Sequence, residues 1–351
     1  MGNIAILAGN DGQIVVDRNL PKTQPATDEI LIEVLYSGVN PADTKLLQLP
    51  SYRHKVLGNE FCGRVIEVSH LADTSFKIGD LVAGQIRGGD AQPTQGGTHQ
   101  SYISIVPDAG IFRVPDHIPP QHAAGLAVTT QTASDGLFNQ LLIPIPSTTN
   151  APVEGTLLIW GGATGVGMAA IQLARSSGLA TIIAIASPER HELLKDLGAT
   201  YCFDYKDKDV VQKIQTKLHE IRPTQVWGFD AAAVGNSSGL LAEALAGHPN
   251  VRLASVSLAA LEPFRTVLGA RHYDLVLTFP GASTPMRIPA RPMEAAKLSE
   301  SLSWVLENYG SKFKLPVVRT FHGTAEEAAE EIYGVGQQKI FGKLTLEHPL
   351  N

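Results

Sequence analysis

The sequence predicts an α/β protein in two parts, a β-rich part followed by a doubly wound parallel sheet. Three observations carry this. Roughly the first 125 residues hold short β-branched runs separated by turn pairs such as Asn10-Asp11-Gly12 and Gly79-Asp80. From Thr156 onward, apolar strands alternate with helical segments over short loops. Between the first of those strands and its helix stands a glycine-rich run, Gly161-Gly162-Ala163-Thr164-Gly165-Val166-Gly167.

The elements follow in order. Ile4–Leu7, Ile14–Val16, Ile30–Ser37, Gly63–Val68 and Leu81–Gly84 read as strands. Pro119-Pro120 precedes a helix expected over Gln121–Asn139, and a proline-containing loop runs from Ile143 to Gly155. Thr156–Trp160 is continuously apolar, as in a strand covered on both faces. Gly165–Ser177 is a helix and Thr181–Ala186 a second buried strand. Pro188–Leu197 is a helix with proline in its first turn and Gly198 after its end. Tyr201–Asp204, Gln225–Asp230 and Arg252–Ser257 continue as strands, with helices over Val210–Ile221 and Ser237–Ala246. Tyr273–Phe279 reads as a strand on a sheet edge, which could pair two copies. Met293–Tyr309 and Thr324–Gln337 are helices, the second opened by a Thr324/Glu327 capping box; Val317–Thr320 and Lys343–Leu346 are strands.

Composition excludes several classes. The chain has 351 residues, 44% hydrophobic and 18% charged, which suits two globular domains. A net charge of −6 argues against a nucleic-acid or anionic-membrane surface. Two cysteines, Cys62 and Cys202, exclude a disulfide framework and any four-cysteine zinc motif. No apolar run is long enough to span a bilayer, and the short start without a basic flank reads as a strand. The expectation is a cytoplasmic enzyme.

The glycine run is a candidate dinucleotide site. Gly162, Gly165 and Gly167 hold the fingerprint spacing; Thr164 stands where a middle glycine is common. Glycines let the backbone approach a pyrophosphate, and the helix N-terminus offers unpaired N–H groups and partial positive charge. NAD sites place an acid about 20 residues beyond the loop. Here the second strand ends Ala184-Ile185-Ala186-Ser187 without one. Ser187 and Arg190, with Tyr205 after the next strand, could instead hold a 2′-phosphate, so NADPH is expected; Glu189 is the contrary feature. The alternative reading makes Ser187 a helix cap and Arg190 a solvated cation.

Taken together, several segments resemble the medium-chain dehydrogenase/reductase superfamily over nearly the whole chain. They are Gly38-Val39-Asn40-Pro41-Ala42-Asp43-Thr44-Lys45, Leu57-Gly58-Asn59-Glu60-Phe61-Cys62-Gly63, Ile78-Gly79-Asp80, Thr132-Ala133, the glycine run, Ser187-Pro188 and Phe203-Asp204-Tyr205. The resemblance implies a GroES-like β-rich catalytic domain (1–125 and 287–351) and a Rossmann cofactor domain (126–286). Zinc-dependent members carry Cys and His where this chain has Asn40 and Asn59, and amides are poor substitutes, so no metal is expected. The chain most resembles fungal trans-acting enoyl reductases of the zinc-free branch. These reduce α,β-unsaturated thioesters beside a polyketide synthase.

By that resemblance Ala42, Asp43, Thr44, Lys45, Gly162, Ala163, Thr164, Gly165, Val166, Gly167, Ser187, Pro188, Glu189, Arg190, Tyr205, Leu258, Ala259, Phe341 and Gly342 contact cofactor. Val128, Thr129, Thr130, Gln131, Thr132, Ala133, Ser134 and Asp135, with His272, Tyr273, Asp274, Leu275 and Val276, border substrate. Asn40, Lys45 and Thr130 are the candidate catalytic residues, as hydrogen-bond donors to a developing enolate. His99, Tyr102 and His122 are possible proton donors, and no motif fixes one. Two other readings stay open: a quinone or enone reductase acting on small free substrates, and an NADPH-binding protein without turnover. Monomer and homodimer are both compatible with the sequence.

Overall fold

The computed structural model describes residues 3–72, 74–108, 110–146, 151–258 and 262–351. The chain divides into two compact units. The first comprises Met1–Val128, His272–Ala290 and Leu315–Asn351; the second comprises Thr129–Arg271 and Arg291–Lys314. These bounds differ from those expected at 126 and 286. Segment 272–290 packs with the β-rich unit, and helix 292–307 packs with the parallel-sheet unit.

The first unit opens with an antiparallel pair, β1 (Asn3–Ala8) and β2 (Ile14–Leu20). β3 (Ile30–Val39) leads into a short helix, α1 (Pro41–Leu46). Asn40 caps it, with Pro41 in its first turn and Asp43 closing a capping box. β4 (Glu60–Val68), β5 (Leu81–Gln85), β6 (Tyr102–Ile105), β7 (Ile111–Arg113) and a one-turn helix, α2 (Pro120–Ala123), follow. α3 (Ala127–Ser134) carries the chain into the second unit.

There α3 runs on into a π-helical segment, Asp135–Gln140. The expected single helix over 121–139 is therefore three pieces. β8 (Val153–Trp160), α4 (Gly165–Ser176), β9 (Leu179–Ile185), α5 (His191–Asp196), β10 (Tyr201–Phe203), α6 (Val210–Ile221), β11 (Val226–Asp230), α7 (Ser237–Ala244), β12 (Val251–Ser255) and β13 (Phe264–Thr266) then alternate. β14 (Leu275–Leu277) and β15 (Met286–Ile288) form an antiparallel hairpin in the first unit. α8 (Pro292–Glu307) returns to the second unit, and β16 (Val318–Phe321), α9 (Ala325–Gly336) and β17 (Lys343–Glu347) complete the first. The Thr324/Glu327 capping box opens α9 as expected.

The second unit is built on a parallel six-stranded sheet, ordered β10-β9-β8-β11-β12-β13. The order reverses between β8 and β11, which places a crevice at their carboxyl ends. Leu158, Ile183, Ile214, Leu218, Leu241 and Leu253 pack one face of it. Its edge is β13. Tyr273–Phe279, expected on a sheet edge, instead contributes β14 to the separate hairpin. The first unit centres on a seven-stranded sheet in which β16-β17-β3-β4-β5-β7 are neighbours and β6 also pairs β3. Among the described residues, no helix is long and apolar enough to cross a membrane.

Candidate active site

At the carboxyl end of β8 the glycines divide by what constrains them. Gly161 has φ +82°, and a Cβ there would meet the Ala232 backbone N at 2.8 Å. A Cβ on Gly167 would lie 2.2 Å from the Gly161 carbonyl. Gly165 is different. The nearest atom to its missing Cβ is Thr129 Cγ2 at 3.6 Å, so nothing among the described residues forbids a side chain. Thr164 lies at φ −71°, a conformation that needs no glycine, and caps α4: its Oγ1 accepts from the Gly167 N–H at 2.9 Å. The N–H groups of Gly165 and Val166, in the first helical turn, have no acceptor among the described residues. An open glycine beside unpaired N–H groups is a cradle that fits a phosphate.

The neighbouring loop is fixed by a buried carboxylate. Asp230, at the end of β11, accepts from the N–H groups of Ala232 and Ala233 and from the Ser237 and Ser238 hydroxyls. That holds Ala232 against Gly161. Sequence reasoning missed Asp230.

β9 and β10 pair with Ile185 opposite Phe203, so Ser187 and Tyr205 each follow a paired position by two residues. They therefore both follow the carboxyl ends of adjacent parallel strands. The Ser187 hydroxyl makes no capping bond and has no partner among the described residues. Tyr205 is 44% exposed, with the Lys206 ammonium 5.6 Å from its ring. Lys206 is a cation that the sequence reading did not name. Pro188 and Glu189 are exposed and Arg190 is half-buried on the turn that follows Ser187. Leu258, 53% exposed, follows the end of β12; Ala259 lies outside the described residues.

On α3, much of the segment expected to border substrate is buried. Thr130, Ala133, Ser134 and Asp135 are fully buried, Thr129 and Gln131 nearly so; Val128 and Thr132 remain partly accessible. The Asp135 carboxylate accepts from the N–H groups of Leu268 and Gly269 and from Asn139, and pairs with Arg291. It is thus an internal tie instead of a substrate contact. Ser134 bonds Ser301. The buried Thr130 hydroxyl has no partner among the described residues.

In the first unit the sequence-predicted Asn40 and Asp43 meet in a buried polar network. Asn40 Nδ2 donates to Glu60 Oε1 at 2.9 Å, and its Oδ1 accepts from Lys343 Nζ at 2.8 Å. Lys343 also pairs with Glu60 and donates to the Val39 carbonyl. The second Glu60 oxygen accepts from the Val128 N–H at 2.9 Å. Asp43 accepts from the Asn40 N–H at 2.8 Å and from Asn59 Nδ2 at 2.7 Å, with His99 Nε2 at 3.4 Å. Ser37 Oγ then links His99 Nδ1 and His348 Nε2, both at 2.8 Å.

Burial, with a contribution from nearby His99, pushes His348 down to about 3, so its ring is neutral. Its Nδ1 is buried without a partner among the described residues. A proton on Nδ1 would be stranded, so it sits on Nε2 and donates to Ser37. Ser37 in turn donates to His99. Asn40, expected as a catalytic donor, has its amide engaged at both ends, by Glu60 and Lys343.

Lys45 is exposed on α1 without an ion pair among the described residues, Ala42 and Thr44 are half-buried, and Thr44 donates to the Pro41 carbonyl. β17 pairs β3 with Leu344 opposite Val39, which brings Phe341 and Gly342 alongside the start of α1. His272 is exposed; Tyr273, Asp274 and Val276 are half-buried, and Leu275 is buried against Leu49 and Tyr52. Asp274 pairs with Arg287. Tyr102 lies under Lys22, and burial lowers His122 below its ordinary range.

The residues at the zinc positions do not fit a metal. A cation, Lys343, already occupies the Asn40 oxygen, and Asn59 donates to a carboxylate. Burial pushes the Cys62 thiol up to about 12, far from a thiolate ligand. Among the described residues no group of three His, Cys, Asp or Glu side chains is arranged to hold a metal ion.

Comparison with known proteins agrees with this architecture. Residues 26–116, in the first unit, match the alcohol dehydrogenase GroES-like domain family, and residues 165–245, in the second, match the zinc-binding dehydrogenase family. The trans-enoyl reductase resD of Aspergillus sclerotiorum is 29% identical over 72% of this chain and 73% of its own length. A zinc-type alcohol dehydrogenase-like protein of Schizosaccharomyces pombe is 32% identical over 68% of each chain. The crystal structure of CurK enoyl reductase superposes with a TM-score of 0.69 at 19% identity, over 99% of this chain and 100% of that one. With GroES-like and Rossmann folds in its two units, this chain belongs to the medium-chain dehydrogenase/reductase superfamily of oxidoreductases, whose members use nicotinamide cofactors.

Proposed function

We propose that this protein is an NADPH-dependent enoyl reductase that works in trans with a polyketide synthase on α,β-unsaturated thioesters. The observation that carries the cofactor choice is the end of β9. Ser187 offers an unengaged hydroxyl, Tyr205 follows the carboxyl end of the adjacent strand, and no acid ends β9. A ribose 2′-OH would find no carboxylate at the end of β9 itself, Glu189 lying on the turn beyond, whereas a 2′-phosphate would find Ser187, Tyr205, Arg190 and Lys206. Substrate class follows the relatives named trans-enoyl reductases.

The reduced nicotinamide would supply a hydride to the substrate β-carbon. The chain's own residues bind and orient. Gly165 and the N–H groups of Gly165 and Val166 hold the pyrophosphate. Asp230 keeps Ala232 packed against Gly161, so the loop is formed before cofactor arrives. Lys45, exposed on α1, is the donor that we assign to support charge on the thioester carbonyl oxygen.

The test is NADPH oxidation with a panel of enoyl-pantetheine thioesters, free enones and quinones, beside Kd values for NADPH and NADH. Thioester turnover with NADPH binding at least tenfold tighter supports the reading. Turnover of quinones alone, or equal affinity for the two nucleotides, rejects it.

A further inference from the structure

The hairpin β14–β15 presents a positioning problem. The chain leaves the second unit at Arg271, contributes His272–Ala290 to the first, and returns at Arg291. A two-stranded hairpin of three-residue strands is not ordered by its own pairing. Leu275 and Leu277 rest on Leu49 and Tyr52, but apolar contact is non-directional and tolerates sliding.

Direction comes from Asp90, in the loop between β5 and β6. Its carboxylate accepts from the Ser51 hydroxyl at 2.5 Å, the Thr278 hydroxyl at 2.6 Å and the Thr278 N–H at 3.3 Å. Its N–H donates to the Val276 carbonyl at 2.8 Å, and its own carbonyl accepts from Lys55 Nζ at 2.8 Å. Burial alone would raise the Asp90 carboxyl; the bonds from Ser51 and Thr278 and the Lys55 charge outweigh it and hold it below its usual range. The adjoining residues add to the hold. Gly89 donates to the Tyr52 hydroxyl at 2.8 Å, Gly88 to the Tyr273 hydroxyl at 3.2 Å, and Arg87 stands over the Tyr273 ring. A Cβ on Gly89 would come within 2.6 Å of Leu275 Cδ1, so the loop lies flat on the strand.

We infer that Asp90 is a positioning residue for the substrate. It locks residues 273–278 to the segment Ser51–Lys55 just beyond α1, with Leu275 and Leu277 turned inward and Val276 presented on the opposite, half-exposed face. Val276 then offers a half-exposed side chain whose place is set before substrate binds, in the segment that the resemblance has bordering the acyl chain. The inference rests on the enoyl-thioester reading for the identity of that chain.

The test compares Asp90→Ala, Asp90→Asn and Thr278→Val with the full-length wild type. Two readouts are used: amide hydrogen exchange in 275–278, and steady-state kinetics on short and long enoyl-pantetheine thioesters. The expected result is faster hairpin exchange, KM for the long thioester raised on the order of tenfold in Asp90→Ala and less in Asp90→Asn, and kcat and NADPH Kd within about twofold of wild type. Thr278→Val removes one donor without emptying the hub, so it shifts the same quantities less should Asp90→Ala fold poorly. Unchanged hairpin exchange overturns the clamp. A uniform loss in KM, kcat and cofactor affinity for every substrate overturns the positioning role and leaves Asp90 as a fold-stabilising group. If the wild type reduces no enoyl thioester, the functional reading fails by itself and hydrogen exchange alone decides the clamp.

Discussion

The Lys343 ammonium donates to the Asn40 amide oxygen at 2.8 Å while pairing with the fully buried Glu60 carboxylate. Removing one partner of such a pair strands the other charge. Lys343→Met is therefore expected to lower unfolding free energy by about 3–5 kcal/mol in urea titrations. Adding Glu60→Gln to it should recover part of that loss, because the stranded carboxylate is gone. A double variant as unstable as the sum of the two singles would show that the residues are not coupled.

Gly165 and Gly167 stand two residues apart and should respond oppositely. Alanine at 167 drives a Cβ to 2.2 Å from the Gly161 carbonyl, and the backbone must shift. Gly167→Ala is expected to lose about 1–3 kcal/mol of stability. Alanine at 165 meets only ordinary contact with Thr129. Gly165→Ala should melt like wild type yet bind NADPH on the order of tenfold or more weakly, since its methyl enters the space for the pyrophosphate. Thermal melts and cofactor fluorescence titrations separate the two; normal NADPH affinity in Gly165→Ala would remove the pyrophosphate from this loop.

What the sequence conveyed follows from chain distance. The glycine loop was legible because strand, loop and helix are contiguous between Thr156 and Ser176. Thr164 looked like a departure from the fingerprint, but at φ −71° it is a cap. The network around Asn40 was not legible: Lys343 is 283 residues from Glu60, and its functional partner is apparent only once β17 pairs with β3. β6, β7, β13 and β15 span three or four residues, too few to show alternation, and depend on their neighbours for strand conformation. The helix expected over 121–139 ignored the break at residues 124–126 and the π turn, neither of which disturbs an apolar pattern.

On the proposed NADPH reading, Ser187 favours a 2′-phosphate by leaving the end of β9 without a carboxylate. Replacing it by Asp puts a carboxylate where the 2′-phosphate is proposed to sit and gives a ribose 2′-OH an acceptor. Ser187→Asp is expected to weaken NADPH by about 100-fold while strengthening NADH, and Arg190→Ala to weaken NADPH alone by about tenfold, as for loss of a bond to a charged group. Isothermal titration with both nucleotides checks this. An unchanged NADPH/NADH ratio in Ser187→Asp would place the 2′ position elsewhere.

His348 gives the fold a one-sided dependence on acid. Its ring is neutral in the native protein down to about pH 3, whereas an unfolded histidine titrates at its ordinary 6.5. Between those values the unfolded chain binds a proton that the folded chain refuses. The sign is therefore fixed: this contribution is fully present above pH 6.5 and is lost as pH falls, at up to about 1.4 kcal/mol per pH unit. Asp90, held below its usual range, adds a slope of the same sign. The comparison that isolates His348 is wild type against His348→Gln, which keeps a donor for Ser37 but does not titrate. Urea unfolding from pH 7.5 to 4.5 should show the wild type losing stability faster than the variant below pH 6.5, with the two curves parallel above it. Parallel curves throughout would mean that the buried ring takes up a proton as readily as an exposed one, and that the Ser37–His99–Asp43 chain reorients to accommodate it.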